Sequence, residues 1–267
     1  MIIVSERLNG QFTDVEKAIK EKDAEVIQEL AREHVHAGSD YLDVNVGTAV
    51  SSGEKKEAML WMVETIQEVT DVPLAIDSPV EDVLKAGVRA CKNPPMINST
   101  QADPEQLNDY LQLAVEEDAA IIALTMDEDG VPNDVQKRVE LAGNIVVAAM
   151  NAGLPFDHLY IDLVALPVRA TQAQPGMVLE ALQQLQGIAD PPPHFMLGLS
   201  NVSQGAVKRS LINRTFLVMC MAMGLDSAIL DPMDDELMDA LITAELLMNK
   251  QIYSDSFLSA YRSSKRG

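Results

Sequence analysis

The chain of 267 residues is 47% hydrophobic and 23% charged, enough to bury the core of one barrel or of two smaller domains. A formal net charge of −21 argues against nucleic acid or an anionic membrane as partner, because phosphate surfaces are bound by concentrated Lys and Arg. Two cysteines and four scattered histidines are poor material for a disulfide framework or a zinc site.

Met1-Ile2-Ile3-Val4 is too short an apolar run for a signal peptide or a membrane span, so a cytoplasmic setting is expected. From there, apolar runs alternate with amphipathic stretches. The pattern predicts strands over residues 2–6, 41–46, 74–77, 95–98, 120–126, 159–162, 194–198 and 227–230. It predicts helices over 23–37, 54–69, 79–90, 103–117, 132–152, 174–188, 211–223 and 234–262. Eight such units close a (β/α)8 TIM barrel, with residues 1–267 as a single domain. An open dinucleotide-binding sheet would carry Gly-x-Gly-x-x-Gly after its first strand, where this chain reads Glu6-Arg7-Leu8-Asn9-Gly10.

Most of these strands run into Asp or Asn. Asp43, Asn45, Asp77, Asn98, Asp127, Asp162, Asn201 and Asp231 fall at or just beyond strand ends, where a parallel barrel keeps its active site. Any one of them reads equally well as a helix or turn cap, and Asp77-Ser78-Pro79 and Asp231-Pro232 look most like caps because proline follows at once. Asp43 and Asp231 are therefore read as structural. Together, carboxylates and amides without Lys or a Gly-rich nest suit a neutral heterocycle bearing N–H groups better than a phosphate. Gly198 allows backbone to approach a ligand beside Ser200-Asn201, and Arg209, read as a loop residue, is the nearest cation, ahead of the helical Arg214.

Other groupings carry no such message. His34 and His36, two apart on a helix, point to different faces. The Met-rich run 216–223 reads as packing, and Met126-Asp127-Glu128-Asp129-Gly130 lacks the spacing of a calcium loop, so no metal is assigned.

At these residues the chain resembles the methyltetrahydrofolate:corrinoid protein methyltransferases, pterin-binding barrels of the dihydropteroate-synthase type from acetogenic and related anaerobic bacteria. The likeness runs over nearly the whole chain. It is carried by Glu6-Arg7-Leu8-Asn9-Gly10, Asp43-Val44-Asn45-Val46-Gly47, Met96-Ile97-Asn98-Ser99-Thr100, Leu197-Gly198-Leu199-Ser200-Asn201-Val202-Ser203-Gln204 and Leu211-Ile212-Asn213-Arg214-Thr215-Phe216. The resemblance implies a homodimer in which Asp77, Asn98 and Asp162 hydrogen-bond the pterin ring and Asn201 lies beside N5. It also implies that Gln204 and Arg209 line the folate site and that Gly198 and Ser200 make close contacts; Glu6, Asn9, Asp43, Asn45 and Asp127 are secondary candidates beside them. The implied reaction moves a methyl group between N5 of tetrahydrofolate and the cobalt of a corrinoid (cobalamin) on a partner protein, in either direction. A dihydropteroate-synthase-like enzyme and a non-catalytic folate-binding protein are the alternatives.

Overall fold

In the computed structural model, which describes residues 1–253, eight parallel strands alternate with helices. The strands are β1 (Ile2–Asn9), β2 (Tyr41–Asn45), β3 (Leu74–Asp77), β4 (Met96–Gln101), β5 (Ala120–Leu124), β6 (Leu159–Asp162), β7 (His194–Met196) and β8 (Ser227–Leu230). They lie in the order β7-β6-β5-β4-β3-β2-β1-β8. A parallel bridge between Gly198 and Ile229, with the Ile229 N–H donating to the Leu197 carbonyl at 2.9 Å, joins the two ends and closes the barrel.

The helices are α1 (Thr13–Glu21), α2 (Ala24–His36), α3 (Lys55–Gln67), α4 (Glu81–Ala90), α5 (Pro104–Glu116), α6 (Val135–Ala152), α7 (Gln174–Leu185), α8 (Arg209–Ala222) and α9 (Asp235–Leu247). Their apolar stripes pack on the outward faces of the strands in one large buried cluster that includes Leu42, Ile76, Ile97, Ile121 and Ile161. The inward faces form a second, separate cluster of Val4, Ala75, Met96, Ala120, Ile122, Tyr160 and Met196, flanked by Ile2, Tyr41, Leu124 and Ile229. This is the packed barrel interior, and it fills the lower part of the barrel.

The side-chain period of two now decides what stands above that layer. Two residues beyond Val4, Tyr41, Ala75, Met96, Tyr160 and Met196 come Glu6, Asp43, Asp77, Asn98, Asp162 and Gly198. Strand parity alone therefore turns these groups inward at the C-terminal mouth.

Several boundaries differ from the sequence reading. The first strand continues through Glu6-Arg7 to Asn9 because a register shift between Ser5 and Leu8 absorbs the polar pair, and the Arg7 guanidinium stacks 4.4 Å over the Phe12 ring. An additional helix, α1, follows it, burying Val15, Ala18 and Ile19 at helical spacing. Arg209 is not a loop residue but the first residue of α8. Pro79 and Pro232 lie ahead of their helices: Ser78 Oγ accepts from the Val80 N–H, and Asp234 caps α9. The helix expected to 262 ends at Leu247 within the described residues, and its last part lies outside them.

Candidate active site

The barrel mouth holds a cavity of about 510 Å³, within the range of small-molecule sites. Glu6, Asp43, Asp77, Asn98 and Asp162 line it from the strands, and Gly198, Ser200, Asn201 and Arg209 from the segment after β7 and the start of α8. Asn9, Gln11, Phe12, Leu124 and Ile229 complete the wall.

Most of the carboxylates and amides from the strands are held by a neighbour. Asn98 Nδ2 donates to Asp43 Oδ1 at 2.8 Å, and Asn45 Nδ2 donates to Asp77 Oδ2 at 2.6 Å while its own Oδ1 accepts from the Gly47 N–H. Asp162 Oδ1 accepts from the Val164 N–H at 2.7 Å and Oδ2 from the Gly198 N–H at 3.3 Å. Ser200 Oγ donates to Glu6 Oε2 at 2.8 Å, and Arg209 donates from its guanidinium to Ser203 Oγ and the Ser200 carbonyl. These bonds lock rotamers before any ligand arrives.

Four carboxylates share this enclosed space, and burial raises the pKa of all of them. Asp43 is lifted furthest: burial dominates, the charges of Asp77 and Glu6 add to it, and the Asn98 hydrogen bond opposes. Burial also raises Asp77, against the hydrogen bond from Asn45. Burial pushes Asp162 up to about 6, against the pull of the Val164 and Gly198 N–H groups and the Arg138 charge, so it is mostly ionised at pH 7. Burial likewise raises Glu6, with the Asp231 charge adding and Ser200 and Arg209 opposing.

The sequence expectations sort cleanly by position. Asp77, Asn98, Asp162, Asn201, Arg209, Gly198, Ser200, Glu6 and Asn9 do line one cavity. Asp43 is a correction: it was read as structural, but its inward parity makes it a wall residue only 4% exposed. Asp231 does not cap α9, which Asp234 caps; it holds the turn before the helix by accepting from the Met233 N–H, and it lines a smaller cleft of about 190 Å³ beside the main cavity. Asn45 lies behind the wall as a clamp on Asp77, and Gln204 is exposed on the rim and outside the lining. Asp127 does not reach the cavity; it forms a turn with Gly130 and an ion pair with Lys137. Phe12 and Gln11, set by α1, were missed, as was the fully buried Arg138 of α6. Nothing in a helical Arg among polar neighbours announces burial.

A parallel barrel whose mouth is ringed by hydrogen-bond acceptors and amides defines a small-heterocycle enzyme. The chain belongs to the pterin-binding enzyme family, whose model matches residues 8–231. Over its full length it is 34% identical to the methylcorrinoid:tetrahydrofolate methyltransferase of Eubacterium limosum, covering 98% of that protein. Over 86% of its length it is 28% identical to the methionine synthase of Mycobacterium leprae, of which it spans only 20%. Among solved structures, a Yersinia pestis DHPS with a pterine-sulfa conjugate shares the fold at a TM-score of 0.69, with 16% identity over 94% of each chain.

Gly198 tests the packing of this mouth. A Cβ there would lie 2.9 Å from Asn201 Nδ2, the far end of a side chain that can swing away, and the Gly198 φ of −71° needs no glycine. Gly198→Ala should therefore displace the Asn201 amide yet leave the thermal midpoint within about 2 °C of wild type, while turnover falls at least about tenfold. Differential scanning fluorimetry beside the methyl-transfer assay checks both.

Proposed function

We propose that this protein is a methyltransferase that moves a methyl group between N5 of tetrahydrofolate and the cobalt of a corrinoid carried on a separate protein. One observation carries the reading: the cavity wall is built from carboxylates and amides, with Arg209 as its one cation among the described residues. Such a wall matches the N–H edge of a pterin and lacks the cluster of cations that a phosphate or diphosphate leaving group demands. A dihydropteroate-synthase-like reaction is disfavoured for that reason. The similarity to the Eubacterium limosum methyltransferase along the whole chain supports the same choice.

In this reading Asp77, Asn98 and Asp162 hold the pterin ring, Gly198 and Ser200 give it close contacts, and Gln204 and Arg209 border the rest of the folate. Asn201 stands beside N5. For transfer from folate, N5 carries a proton; Co(I) attacks the methyl carbon as the C–N bond breaks, a Co–C bond forms, and the proton stays on the departing amine. In the other direction the N5 lone pair takes the methyl, the Co–C electron pair returns to cobalt, and the N5 proton is released. An amide does not titrate near neutrality, so Asn201 stabilises this proton and does not donate it.

A corrin is too large for a cavity of about 510 Å³ that already holds a pterin, so cobalt is presented at the mouth by its carrier. Co(I) is oxidised by oxygen, which fits an anaerobic bacterium and a reducing cytoplasm. No helix of the described residues is long and apolar enough to cross a membrane. For the homodimer, Leu211 and Met219 of α8 and Met223 at its end are exposed at helical spacing, and a second copy covers this apolar stripe.

Stopped-flow mixing of the protein with methyltetrahydrofolate and reduced cobalamin should show conversion of Co(I) to methyl-Co(III), with Asn201→Ala slower by about 10²-fold. No conversion by wild type, or an Asn201→Ala rate equal to it, contradicts the reading. Sedimentation equilibrium should give a dimer that Met219→Glu dissociates, and a monomeric wild type would exclude it.

A further inference from the structure

Behind the cavity wall, on α6, the Arg138 side chain is completely buried. Its guanidinium donates to the Val164 carbonyl at 3.0 Å, to the Pro132 carbonyl at 3.0 Å and to Gln174 Oε1 at 2.6 Å. Gln174, itself only 2% exposed, continues the clasp by donating to the Pro132 carbonyl and to Asn133 Oδ1. The loops after β5 and β6 are thereby fastened to each other and to the starts of α6 and α7.

This clasp ends on the ligand side of the wall. The same Val164 whose carbonyl Arg138 grips sends its N–H to Asp162 Oδ1, and Val164 holds a left-handed φ of 54° to do so. A β-branched residue keeps that conformation only where its surroundings over-determine it. A buried arginine leaves its cation in low dielectric unless a counter-charge is near, and the carboxylate whose field acts on Arg138 is Asp162.

We propose that Arg138 is a positioning residue for pterin recognition: by gripping the Val164 carbonyl it aims the Val164 N–H at Asp162, and so fixes the carboxylate that accepts the ring N–H groups. The assignment rests on the folate reading for what Asp162 binds. Glu6 from β1, Asp43 from β2, Asp77 from β3 and Arg209 from α8 also face the cavity, but Arg138 is the charged group whose field acts on the Asp162 carboxyl. Removing the cation takes away a pull toward the ionised form, so the Asp162 pKa rises and ring binding is lost at a higher pH.

Carbon-13 NMR of the side-chain carboxyls, assigned with Asp162→Asn, follows this titration in ligand-free protein. Arg138→Met should move the Asp162 midpoint upward. The pH below which tetrahydrofolate affinity falls, read by calorimetry, should move with it. Arg138→Lys keeps the charge but not the planar fork, so the midpoint should stay near wild type while affinity drops several-fold. An unchanged Asp162 titration in folded Arg138→Met overturns the proposal. Should that variant not fold, wild-type affinity in Arg138→Lys overturns it instead. Failure of wild-type protein to bind tetrahydrofolate at all would overturn the folate reading, and with it the recognition role, whatever the carboxyl titration shows.

Discussion

The inward parity of the strands is the constraint on which everything at the mouth depends. Because successive side chains alternate across a strand, burying Val4, Tyr41, Ala75, Met96, Tyr160 and Met196 inside the barrel commits Glu6, Asp43, Asp77, Asn98, Asp162 and Gly198 to the same side two residues later. A slip of one residue in any strand would put a carboxylate among the outer helices and a hydrophobic side chain in the cavity. The apolar layer that stabilises the fold is thus also the device that fixes the site, and stability and function share one register.

What this register assembles is electrostatically unfavourable by itself. Carboxylates crowded into a cavity lose hydration and repel one another, and the structure answers with amide and backbone N–H donors to Asp43, Asp77 and Asp162. A ligand edge rich in N–H groups supplies donors that the protein withholds. The crowded mouth is in this sense complementary to the N–H edge of a pterin.

The strand grammar was readable because parallel strands are buried on both faces and stand out as continuous apolar runs. Asp77, Asn98 and Asp162 were readable for the same reason, each closing such a run. Asp43 was misjudged because strand-end position was weighed against capping residue by residue, whereas its parity with Tyr41 decides the matter. The first strand hid its last turn because Glu6 and Arg7 interrupt the apolar run at a bulge, and α1 hid because only three buried residues mark it. Arg138 was illegible in principle: a helical arginine next to Lys137 has the sequence signature of a solvated face, and only the meeting of two loops buries it.

The central claim is that strand register presents an ionised Asp162 to the pterin edge of tetrahydrofolate. Calorimetric titration of the wild-type protein with tetrahydrofolate between about pH 5 and 8 tests it most directly, because burial pushes the Asp162 carboxyl up to about 6. The account predicts steady affinity at the alkaline end and a progressive loss as the pH falls through about 6, with Asp162→Asn weak and lacking that transition. Affinity independent of pH across this window, or a transition that survives in Asp162→Asn, would contradict it.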